Sequence, residues 1–179
     1  MRMILSNKIT RLIVLAMLAL TAVAASRAAD DSVYTPLWLY QGNWIASPKD
    51  LALGASPDQL SDECALVGKY FTCQQTVNGK IGALLVFVPA ETPGHYFTNA
   101  IVPQGYAGGR GELEISGDRW TYSNKSVDGD KTTYHRTLNI FTGKDHIHYE
   151  LGESGDGINW TVTGSGDEVR AAGNSKSRH

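Results

Sequence analysis

The chain has few of the features that announce a function. No Gly-x-Ser-x-Gly elbow is present, which removes the common serine-hydrolase arrangement. The Gly-Lys-Ser/Thr of a phosphate loop is missing too. No run of basic residues lies beyond residue 28, so nothing argues for nucleic acid as a partner. The longest apolar run, Leu12–Val23, stops well short of the roughly 20 residues that a membrane-crossing helix needs. No stable membrane insertion is therefore expected. There are only two cysteines, and they do not form the C-x-x-C spacing of a redox couple or metal pair.

What is present begins with an address. Arg2, Lys8 and Arg11 precede the apolar run, and small residues at Ala24–Ala29 follow it. That order predicts a secretory signal peptide over 1–28, cut after Ala28, and a periplasmic or secreted destination. There is no cysteine at the junction for lipid attachment and no twin-arginine pair. The first 28 residues carry four of the 16 Lys+Arg and none of the 18 Asp+Glu, so the remainder has a formal charge of −6. Its 151 residues suit one domain, placed at 34–170, with 171–179 as a flexible tail. In an oxidising compartment Cys64 and Cys73 read as a disulfide. Two geometries are open: a cross-strand bridge around a Gly68-Lys69 turn, or a bridge tying the end of a short helix to the sheet.

Beyond residue 37 the residues alternate with period two between turn signals, the pattern of strands. Expected strands are Trp38–Ser47, Tyr70–Val77, Lys80–Val88, His95–Val102, Glu112–Ser116, Arg119–Lys125, Lys131–Phe141, His146–Leu151 and Ile158–Gly164. Asn78-Gly79 is the strongest hairpin signal. Ser56-Pro57-Asp58-Gln59 has the form of a helix start and predicts one short helix near the N-terminus. Sequential hairpins make an all-β, antiparallel up-and-down meander of about eight to ten strands. Closure into a barrel removes its exposed edges. In the 131–151 hairpin, setting Phe141 opposite His146 puts Leu138, Ile140, Ile147, Tyr149 and Leu151 on the core face. His135, Thr137, Asn139, His148 and Glu150 then face solvent. Ile158, Trp160 and Val162 continue the core. Lys80–Val88 is apolar on both sides, which predicts cover on both faces.

Gly42-Asn43-Trp44 in the first strand after a signal sequence, followed by a meander of hairpins, resembles lipocalin-like barrels of the calycin type. Secreted bacterial domains of that shape often end in a Ser-x-Asp-Gly-x-x-Trp hairpin, matched here by Ser154–Trp160. The resemblance covers about residues 36–165. It implies that Trp44 closes one end of a barrel and that the interior holds one small ligand. The second lipocalin signature with its Thr-Asp-Tyr is absent, and so is a C-terminal helix.

Three functional readings follow. The first is a non-catalytic barrel, without cofactor, that binds a small, partly apolar molecule. Trp44, Trp120, Tyr122, Tyr149 and Trp160 are its candidate pocket residues, since amphipathic aromatics suit a cavity wall. The second is a filled barrel acting through its loops as an envelope interaction or inhibitor module. The third is a metal-dependent enzyme in which His146, His148 and Glu150, alternating on one strand face, supply ligands. Pro103–Gly111, rich in glycine, reads as a mobile loop at the barrel mouth. Asp62-Glu63 and Glu112/Glu114 read as solvated surface pairs. Oligomeric state has no sequence signal.

Overall fold

The computed structural model describes residues 31–50, 52, 54–104 and 110–172. The segment 1–28 expected as a signal peptide, most of the expected Pro103–Gly111 loop and most of the expected tail lie outside the described residues. A 3₁₀ helix, Ser32–Tyr40, precedes ten strands. These are β1 (Gly42–Pro48), β2 (Asp58–Val67), β3 (Tyr70–Val77), β4 (Lys80–Pro89), β5 (His95–Ile101), β6 (Gly111–Ser116), β7 (Arg119–Asp128), β8 (Lys131–Phe141), β9 (His146–Ser154) and β10 (Thr161–Arg170). Every strand pairs antiparallel with the next, and β1 pairs with β10, so the sheet closes into a barrel. Closure leaves no strand edge unpaired. The all-β, up-and-down architecture agrees with the sequence expectation and is consistent with a lipocalin-like barrel.

The turns follow their residues. Asn78 and Gly79 take φ of 51° and 75°, as a two-residue hairpin loop requires. The Asn78 side chain also holds the start of β2: its Oδ1 accepts from the Gln59 amide at 2.9 Å, and its Nδ2 donates to Asp58 Oδ1 at 2.7 Å. Gly68-Lys69 joins β2 to β3 so that Cys64 lies directly opposite Cys73, and the two are bonded. Of the two disulfide geometries, the cross-strand one is formed.

Four local expectations are corrected. The helix start at Ser56 does not open a helix, and the short helix lies at Ser32–Tyr40 instead. Asp58–Val67 is a strand because it is paired on both sides, to β1 and to β3. Tertiary pairing there overrides a local capping pattern. The segment expected as a strand from Trp38 begins only at Gly42. In the β8–β9 hairpin the register is Phe141 opposite Ile147, one residue from the expected pairing. A one-residue slip exchanges faces, so His135, Thr137, Asn139 and Phe141 point inward with Ile147 and Tyr149. The outer face of β4 is not covered: Leu84 is 36% exposed.

The two ends of the barrel differ. At the end where β1 begins, the inner face is filled by Trp44, Phe71, Phe87, Leu113, Trp120 and Ile147, each at most 1% exposed. Leu37 from the helix joins them at 0%. Ring pairs knit this plug together: Trp120 and Phe141 at 4.5 Å, Tyr40 and Trp120 at 5.1 Å, Phe71 and Phe87 at 5.9 Å between centroids. Such offset and edge-on contacts add to the burial of large apolar surfaces. The Trp44 indole N–H donates to the Tyr40 carbonyl at 3.0 Å, so its one polar atom is satisfied.

Arg170, the last residue of β10, locks this end. Its guanidinium lies 4.1 Å above the Trp44 ring. It donates to the carbonyls of Leu39, Gln41 and Lys144 and pairs with Asp145 at 3.0 Å. Gly42 is required beneath it: φ is 127°, and a Cβ would sit 2.8 Å from Arg170 Nη1. The glycine and the tryptophan of Gly42-Asn43-Trp44 are thus both explained by one arginine packed across them.

Candidate functional site

Toward the opposite end the inward side chains become smaller and polar, and they stop filling the barrel. A cavity of about 570 Å³ results. Leu85, Phe87, Ala100 and Cys73 give it an apolar wall on β3–β5. Tyr122, Asn124, Ser126, His135, Thr137 and Asn139 give it a polar wall on β7–β8. Gly111 also lines it, packed so closely that a Cβ would lie 2.8 Å from Thr98 Oγ1 and 3.2 Å from the Ser123 carbonyl.

Tyr40 marks the boundary between plug and cavity. Its ring belongs to the aromatic plug, stacking edge-on against Trp120 and Phe141. Its hydroxyl accepts from Tyr122 Oη at 3.0 Å and from Asn139 Nδ2 at 2.9 Å. With both lone pairs engaged, the Tyr40 proton remains to be donated. Burial pushes both phenols above their ordinary range, Tyr40 and Tyr122 alike, so each stays neutral at physiological pH.

Two carboxylates face the same space. Asp62 on β2 and Glu168 on β10 both line the cavity, on the strands that flank β1. Asp62 is 5% exposed, whereas its sequence neighbour Glu63 is exposed, as strand alternation demands. Desolvation raises the Asp62 carboxyl to about 6 against a hydrogen bond from Gln75, which acts to lower it. Desolvation and then the charge of Asp62 raise Glu168 to about 7. Asp62 Oδ1 is buried without a hydrogen-bond partner among the described residues. The expectation that Asp62-Glu63 is a solvated surface pair is therefore corrected for Asp62. Glu112 and Glu114 are exposed, as expected.

Of the five aromatic candidates, Tyr122 lines the cavity. Trp44 and Trp120 lie in the packed plug. Tyr149 shares the inner face beside Gly166, where a Cβ would meet both the Ser47 carbonyl and the Tyr149 ring. Trp160 lies against Gly152 on the outer surface, with the Arg136 guanidinium 4.4 Å above its ring. The apolar residues expected beside it in the core are also outside: Ile158 is 80% exposed and Val162 54%. The turn before Trp160 is held by Asp156, whose carboxylate accepts from the Ile158 and Asn159 amides, each at 2.8 Å. Those bonds hold its carboxyl well below the usual range.

His146, His148 and Glu150 lie on the outer face of β9. His148 Nδ1 is 3.1 Å and His146 Nε2 3.3 Å from the same Asp167 oxygen, with Glu150 3.9 Å from His148. The arrangement is a half-exposed cluster of polar side chains around Asp167. Among the described residues no group of three or more His, Cys, Asp or Glu side chains is placed to hold a metal ion.

From the sequence, Asp62 reads as a solvated surface residue and Glu168 is not singled out. The signal for Asp62 was there: it alternates with Leu60, Cys64 and Leu66, an inward face once Asp58–Val67 is read as a strand. Glu168 has no such signal, because β10 is Thr-Gly-Ser-Gly-Asp-Glu over much of its length. No protein-family profile matches this chain, and no curated protein matches it in sequence.

Proposed function

We propose that this protein is a secreted, non-catalytic, lipocalin-like barrel that binds one small, partly apolar molecule inside its polar half. The observation that carries the reading is the cavity of about 570 Å³, which falls within the roughly 300–1,000 Å³ of small-molecule sites. It has the composition such sites share, an apolar wall facing a few placed polar groups. The aromatic plug supports it by making one end rigid, so that the hollow end does not collapse. Export rests on the signal pattern at 1–28, and the Cys64–Cys73 bridge is consistent with an oxidising compartment. A barrel acting only through its loops has no use for a hollow interior, which places that reading second.

The test is titration with the neutral fluorophore N-phenyl-1-naphthylamine. The expected result is one bound dye per chain, with affinity reduced at least tenfold in Thr137→Trp, which fills the cavity. Ser126→Trp serves as the second filling variant, and circular dichroism verifies the fold of each. No binding to the native protein, or equal binding to both folded variants, overturns the reading.

A further inference from the structure

We propose that the ligand is an organic cation, a protonated amine on an apolar body, with its charged end at Asp62 and Glu168. This rests on the cavity being a binding site and adds the chemistry of what it selects.

The two carboxylates line the cavity from the strands on either side of β1. In register, Asp62 stands opposite Gly42 and Glu168 opposite Ala46, with Trp44 between them on the same inner face. Neither has an ion-pair partner among the described residues. Buried charges in proteins are ordinarily paired, and buried polar atoms are ordinarily hydrogen-bonded. Asp62 departs from both rules: it is 5% exposed, and its Oδ1 has no hydrogen-bond partner. An acceptor left unmatched in the wall of a ligand-sized cavity fits a ligand that brings donors.

The surroundings set the sign of the charge. Gln75, which hydrogen-bonds Asp62, is neutral, as are the Tyr40 and Tyr122 hydroxyls and Asn139, which share the cavity wall. The cavity's positive or potentially positive side chains, Lys125 and His135, stand further along β7 and β8, toward the hollow end. A carboxylate ligand would set a third negative charge against two. A neutral ligand would leave both unmatched. An ammonium group supplies three donors and the opposite charge. Its hydrogen bonds to a carboxylate are about twice as strong as neutral ones. The remaining body of the ligand meets Leu85, Phe87 and Ala100.

The experiment is displacement of N-phenyl-1-naphthylamine by three molecules sharing one body: 4-phenylbutylamine, 4-phenylbutan-1-ol and 4-phenylbutyrate. On the native protein the amine is expected to compete at concentrations at least tenfold lower than the alcohol, with the carboxylate weakest. In Asp62→Asn with Glu168→Gln, the dye still binds and the amine's advantage disappears. If that double variant does not fold, Glu168→Gln alone is read, with the advantage reduced. An amine no better than the alcohol, or an advantage that survives the substitutions, overturns this proposal while the dye keeps the cavity reading intact. Failure of the dye itself to bind overturns both.

Discussion

The two ends of this barrel share one closed sheet and spend their inward positions differently. At the plugged end the inner face carries Trp44, Phe71, Phe87 and Trp120, which meet across the barrel axis with the 3₁₀ helix residue Leu37. At the hollow end the same alternation delivers Thr98, Ala100, Gly111, Ser126 and Thr137, side chains too short to meet. Backbone geometry is common to both, so side-chain volume alone decides which half is solid. Tyr40 belongs to both, with its ring in the plug and its hydroxyl in the cavity network. Close packing is thereby concentrated at one end and the cavity at the other.

That division can be broken most sharply at the plug. Trp44→Ala removes a ring that is 1% exposed and strips Arg170 of the surface it covers. The expected cost is about 3–5 kcal/mol, measured by urea denaturation. A cost below about 1 kcal/mol would show that the plug does not carry the stability assigned to it. Next in size is the disulfide, which bridges the first hairpin beside the cavity. Replacing Cys64 and Cys73 with alanine is expected to lower stability by about 2.7 kcal/mol, the loop-closure value for a loop of roughly 10 residues.

The acidic groups of the hollow half give a smaller effect with a definite sign. Asp62 rises from 3.8 to about 6 and Glu168 from 4.5 to about 7 on folding. The folded chain therefore binds these protons more tightly than the unfolded chain does. Their contribution is fully present below about pH 4 and is lost as pH rises through 6 and 7. Melting temperature should accordingly fall between about pH 4 and pH 7. Asp62→Asn with Glu168→Gln should flatten that fall, and an unchanged slope would detach it from these carboxyls. Smallest of all, Thr137→Val at the cavity wall is expected to shift stability by under about 1 kcal/mol, because valine has nearly the same size and the side chain borders the cavity. The same substitution should still alter dye affinity, which would separate binding from folding.

Much of the architecture was legible in the order of residues. Asn78-Gly79 marks a hairpin because asparagine and glycine tolerate positive φ, and both adopt it. Cys64 and Cys73 fall opposite one another once Gly68-Lys69 is taken as a two-residue turn. The β8–β9 face assignment was harder, since it hung on one turn. The Thr142 amide bonds the His146 carbonyl at 2.8 Å, leaving a loop of Gly143, Lys144 and Asp145, with Gly143 at φ 68°. An odd loop length shifts the pairing by one and exchanges inside for outside. Residues read as solvent-facing, among them Thr137 and Asn139, thereby became cavity wall.

The sequence by itself determined a strand-rich chain, its principal turns and the pairing of its cysteines. Those features depend on local periodicity and on residues with special backbone freedom. Only the tertiary structure decided that Asp58–Val67 would be a strand rather than a helix, because that depended on partners on both sides. That Asp62 and Glu168 line one cavity was likewise decided by closure. The two carboxylates are more than a hundred residues apart in the chain, and the pairing of β1 with β10 brings them to one cavity wall.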